Sequence, residues 1–143
     1  APALHAGRLP WVEVHRMIDA RKYIEEVRWQ KGGRAWPNLD CYGIVTAIRE
    51  HLGLERWPSW DGVTKDDDGL DRAGNEFVRT RERCEPEEGA LACCYTASMM
   101  THVGVVVETA TGLCVMECNP DIGVTCMPVR RFVRRWLRVE FYR

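Results

Sequence analysis

Asn38-Leu39-Asp40-Cys41-Tyr42-Gly43-Ile44-Val45 is the stretch on which the reading of this chain turns. Lys31-Gly32-Gly33-Arg34-Ala35-Trp36-Pro37 runs into it and is broken by glycines and a proline. From there Tyr42, Val45, Ile48 and Leu52 recur at helical spacing, and Gly53 supplies a stop. The pattern predicts a helix over 41–52 with Cys41 at its start. A thiol in that position faces unpaired N–H groups and the positive end of the helix dipole, which favour the thiolate. The same N–H groups, that of Cys41 among them, can donate to an oxyanion. Position alone fits either a nucleophile or a buried structural cysteine.

A cysteine nucleophile needs a base, and histidine is the usual one. The chain has four, His5, His15, His51 and His102. His5 falls in the opening residues, while His15 and His51 sit on amphipathic, charge-flanked stretches that read as surface. His102 opens the most strand-like run of the chain, His102-Val103-Gly104-Val105-Val106-Val107-Glu108. A strand end is a rigid place from which an imidazole can reach a helix start.

The base in turn needs an orienting acceptor. Thr109-Ala110-Thr111-Gly112 reads as a turn, so 113–119 returns beside 102–108. Glu117 and Asn119 share one face of that return strand. Pairing near the strand end sets one of them beside His102, with Glu117 the first choice and Asn119 the alternative. A slip of one residue removes both.

The remaining chain reads as an α+β pattern, helices first and then an antiparallel meander. Helical spacing covers 10–28 through Trp11, Val12, Val14, Met17, Ile18, Tyr23, Ile24 and Val27. Residues 55–90 are polar and irregular, with one further helix expected near 70–82. Strands are expected over 90–95, 102–108, 113–119 and 124–128, then a short helix and a closing strand within 129–143. One domain spans 1–143, with residues 1–10 read as a flexible or trimmed start.

Composition narrows the classes. The chain has 143 residues, 45% hydrophobic and 29% charged, as a soluble globular domain does. Twenty basic residues oppose twenty-one acidic ones for a net charge of -1, so no nucleic-acid partner is expected. The arginines of 130–138 alternate with large apolar residues and read as an amphipathic closing element. Apolar runs stop well short of the roughly 18–20 residues that span a bilayer, and no signal peptide is read at the start. Seven cysteines is an odd count in a chain too large to need disulfide staples, so mostly free thiols are expected. Zinc binding through Cys84, Cys93, Cys94, Cys114 and Cys118 is the weaker alternative. Cys93 and Cys94 are adjacent, and Cys114 and Cys118 lie about 13 Å apart on one strand. The acidic run Asp66-Asp67-Asp68 lacks the alternate spacing of a calcium loop. No cofactor and no metal are expected.

Several blocks together resemble the NlpC family of papain-like cell-wall cysteine peptidases, most closely its bacteriophage-tail members. The pattern is an aromatic residue, paired glycines, then Asp-Cys-x-Gly-aliphatic-Val. Here it reads Trp29-Gln30-Lys31-Gly32-Gly33, then Asp40-Cys41-Tyr42-Gly43-Ile44-Val45. A strand opening His-Val-Gly follows, here His102-Val103-Gly104, then a third polar residue a few positions before a Gly-Val pair. Counting back from Gly123-Val124 reaches Glu117. An arginine-rich segment closing on Tyr142-Arg143 completes the likeness, which covers about residues 20–143. The family's usual third histidine is Glu117 or Asn119 here, and its site tyrosine is Trp29. Its Gly-Asp before the first core strand stands here as Glu87-Glu88-Gly89-Ala90. The resemblance implies a helix-on-sheet fold, Cys41 as nucleophile and His102 as base, with Trp29, Asp40 and Tyr42 shaping the site. It further implies a peptidoglycan stem peptide as substrate and other phage tail proteins as partners. Synthesis in the bacterial cytoplasm, then assembly into the virion tail, is the localisation that goes with it.

Overall fold

The computed structural model describes residues 17–143. The first part of the helical stretch expected over 10–28, with His5 and His15, lies outside them. Within them the stretch, read as one or two helices, holds one short helix. It is α1, Ala20–Glu26, started by Asp19, whose carboxylate accepts from the Arg21 N–H at 3.1 Å. Val27 is already extended, and β1 (Arg28–Trp29) follows at once. β2 (Arg34–Ala35) and β3 (Asn38–Leu39) complete a three-stranded sheet in the order β1-β3-β2, with β1 and β3 parallel. Two-residue strands are too short to leave a period-2 signal, and the sequence did not announce them.

α2 runs Cys41–His51, one residue short of its expected end. A 3-10 turn at Asp66–Asp68 leads into α3, Gly69–Val78. The strands after it are β4 (Arg83–Cys84), β5 (Leu91–Thr96), β6 (Met99–Thr109), β7 (Gly112–Asn119) and β8 (Gly123–Pro128). α4 (Val129–Val133) and β9 (Arg138–Tyr142) close the chain. The strands pair antiparallel in the order β4-β9-β5-β6-β7-β8, so the architecture is α+β.

Both faces of the central strands are covered, which explains the unbroken apolar run of β6. Val103, Val105 and Val107 pack with Cys114, Met116 and Cys118 toward Leu39, Ile44, Val45 and Ile48 at the α2 layer. Val106 and Val115 face the other way, with Ala92, Cys94, Phe132 of α4 and Phe141. All seven cysteines are free thiols, five of them buried, so most serve as small apolar packing groups.

The glycines around Cys41 mark places where backbone meets backbone. A Cβ on Gly43 would fall on the Gly33 carbonyl and reach Leu39 Cβ at 3.2 Å. A Cβ on Gly33 would fall on the carbonyl of Asn38. The first turn of α2 therefore lies directly on the preceding loop. Gly43→Ala is expected to lower unfolding free energy by about 1–3 kcal/mol, because neither backbone can give way cheaply. Urea unfolding measures it, and a loss below about 0.5 kcal/mol would contradict this account.

Candidate active site

Cys41 is the first residue of α2 and is 5% exposed. Asp40 caps the helix, its carboxylate accepting from the N–H groups of Tyr42 (3.1 Å) and Gly43 (2.8 Å). Arg34 donates to the same capping oxygen, Oδ1, at 2.6 Å, and the other oxygen accepts from the Gly32 N–H at 3.1 Å. With those two first-turn donors taken by Asp40, the Cys41 N–H meets no acceptor among the described residues. That is the donor an oxyanion beside the sulfur would use. Burial pushes the Cys41 thiol up to about 11; Lys65, the Val103 N–H and Arg34 act in the opposite sense, and Asp40 adds to the rise. Burial thus outweighs the neighbouring cations, and the resting group at neutral pH is the thiol.

His102 is 1% exposed, near the start of β6. Its Nε2 lies 2.8 Å from Glu117 Oε1. Glu117 is fully buried, where its other oxygen takes hydrogen bonds from Arg135 and, at 3.1 Å, from the Thr125 hydroxyl opposite it on β8. Burial alone would raise the Glu117 carboxyl, but hydrogen bonds from His102 and Arg135 prevail and hold it down at about 2. A carboxylate only accepts, so Nε2 carries the ring proton and Nδ1 keeps the lone pair. Burial also lowers the His102 pKa below its ordinary 6.5; the Glu117 bond opposes this and Lys65 reinforces it. The ring lies parallel to Trp136, centroids 5.6 Å apart.

Register explains why Glu117 meets the ring. Val105 pairs with Met116, and continuing that ladder sets Gly104 opposite Glu117. A Cβ at Gly104 would press on Val115 Cγ1 at 2.8 Å and reach Glu117 Cβ at 3.7 Å. The bare backbone at 104 leaves the diagonal path from Glu117 to His102 open. Asn119, the alternative third residue, does not take the Nε2 bond.

A cleft of about 230 Å³ opens over Cys41, lined by Trp29, Asp40, Tyr42, Lys31, Arg34 and Lys65 among others. Trp29, Asp40 and Tyr42, singled out from sequence, thus border the cleft. Tyr42 also stacks on Trp60 (3.9 Å) and donates to the Pro58 carbonyl (2.7 Å), which ties the 57–60 loop to α2. Sequence reasoning missed Lys65, whose Nζ lies 3.1 Å from His102 Nδ1, and also Arg135, Thr125 and Trp136. Thr125 had a signal, its ladder position opposite Glu117; Lys65 and Arg135 reach the site from loop and terminal elements that carry no periodic signal. Among the described residues no His, Cys, Asp and Glu side chains group as metal ligands. No helix among them is long and apolar enough to cross a membrane. No protein-family model matches the chain, and no curated protein is significantly similar to it.

Two outcomes follow from the buried pair. Glu117→Gln leaves Arg135 without its counter-charge and weakens the only contact that raises the His102 pKa. Because the cation left behind is partly solvated, it should cost about 1–3 kcal/mol and move the His102 NMR titration further down, with Asn119→Ala moving it less. Acidification should destabilise the fold in two stages. Below 6.5 the unfolded chain takes a proton at His102 that the folded chain refuses. Between 4.5 and about 2 the same holds for Glu117. The thermal midpoint should therefore fall from pH 7 to 5 in the native chain and fall less in His102→Gln; a flat native profile would contradict a buried neutral His102.

Proposed function

We propose that the chain is a thiol peptidase of the NlpC, papain-like kind, cutting peptide bonds in peptidoglycan stem peptides. The observation that carries this reading is the 2.8 Å bond between His102 Nε2 and a buried, ionised Glu117. It belongs to the β6–β7 pair, whose residues pack against those of α2, the helix that Cys41 opens. A histidine oriented through one nitrogen, with a thiol at a helix start, is the arrangement acyl transfer needs. The Asp-Cys and His-Val-Gly blocks support the family, and the arginine-rich close supports its phage-tail members.

In this mechanism the Cys41 sulfur attacks the scissile carbonyl and its proton passes to His102 Nδ1. The Cys41 N–H takes the developing oxyanion. His102 returns the proton to the leaving amine, and water then hydrolyses the thioester by the reverse path. Glu117 keeps the imidazole in the correct tautomer and balances the imidazolium while it lasts. The cleft holds a peptide of the cell wall, and the protein works in the virion tail after synthesis in the bacterial cytoplasm.

A second reading is a tail-tip component of the same fold with little catalysis, assembled with other tail proteins. The raised Cys41 thiol and the occupied Nδ1 of His102 favour it. Muropeptide release from purified sacculi separates the two. Native protein should release peptides, and Cys41→Ala should lose at least about a thousandfold in rate with an unchanged circular dichroism spectrum. Equal release by Cys41→Ala would sink the peptidase reading.

A further inference from the structure

Three cations line the cleft over Cys41, and they are not equivalent. Lys31 is ion-paired with Asp66. Arg34 is tied to Asp40 and to the carbonyls of Gly33, Ser59, Trp60 and Val63. Lys65 meets no carboxylate among the described residues. Its partner is the neutral imidazole, through Nδ1 at 3.1 Å. With Nε2 committed to Glu117, Nδ1 bears the lone pair, and on the peptidase reading it is the one that receives the Cys41 proton. As the resting molecule stands, the base is occupied by a cation.

We propose that Lys65 is a specificity-determining latch on His102, which releases the imidazole only when the ligand in the cleft brings an anionic group to the Lys65 ammonium. The inference rests on the peptidase reading above. An ammonium bonds a carboxylate more strongly than it bonds a neutral imidazole, so the exchange is favourable. Lys65 is on the surface, and its neighbour Asp66 is pinned by Lys31, so the swing is confined to the lysine side chain. Such rotations are fast against turnover. Once Lys65 has swung to the ligand, Nδ1 is free to take the thiol proton, while the ammonium stays in the cleft to favour the developing thiolate. A neutral ligand of the same shape fills the cleft but leaves the lone pair covered.

Alkylation of Cys41 tests the latch without any peptide substrate. Iodoacetate and iodoacetamide differ in charge alone and attack the same sulfur; mass spectrometry reads modification at Cys41. In the native protein the ratio of iodoacetate to iodoacetamide rates at Cys41 should exceed that of free cysteine by about tenfold, through charge focusing in the cleft. Lys65→Met should bring the ratio down to that of free cysteine and raise the iodoacetamide rate about tenfold or more, because the base is uncovered. Lys65→Arg should keep the native preference. A native ratio retained in Lys65→Met, or an iodoacetamide rate that falls in it, overturns the latch and leaves the peptidase reading standing. A Cys41 inert to both reagents in every variant overturns both together.

Discussion

The Asp40 carboxylate is the constraint on which the rest of the site depends. It caps α2 through two N–H groups, holds the Gly32 turn, and anchors Arg34. Arg34 in turn gathers the carbonyls of Ser59, Trp60 and Val63. One side chain thus fixes where the helix begins, where the loop before it lies, and where the loop carrying Lys65 starts. The Asp-Cys pairing in the sequence has a structural cause: the residue before the thiol sets the thiol's frame, and it is not a reacting group.

A second charge, at Glu117, is buried on different terms. Desolvation of a carboxylate is costly, and three partners compensate it, His102, Arg135 and Thr125, in a geometry that Gly104 permits. Removing any of them exposes the cost of the others. The imidazole therefore has a fixed tautomer and a fixed plane, held against Trp136. That rigidity suits a base that must deliver a proton along one line, and it leaves motion to the lysine on the opposite ring nitrogen.

Much of this was legible in the residues, for identifiable reasons. The start of α2 could be read because Asp40, Cys41 and the Tyr42-Val45-Ile48 stripe act within one turn of each other. His102 could be read because a strand covered on both faces leaves an unbroken valine run behind it. The choice between Glu117 and Asn119 could not be closed, because it depends on ladder register, and a turn at 109–112 tolerates more than one. The helical spacing read over 10–28 as one or two helices stops at Glu26, where Val27 turns extended toward β1. Lys65 and Arg135 act across 37 and 18 residues of chain, through loops and a short helix without periodicity, so only three-dimensional packing reveals them.

The placement of Arg135 carries a consequence for how the molecule holds together. The cation that balances Glu117 follows α4 and precedes the last strand, while β9 inserts between β4 and β5. Without that segment docked, Glu117 lacks its counter-charge and the sheet has a gap beside β5. The setting of the imidazole is thus coupled to closure of the sheet: a state in which the segment carrying Arg135 and β9 is undocked would leave both the base unbalanced and the edge of β5 unpaired.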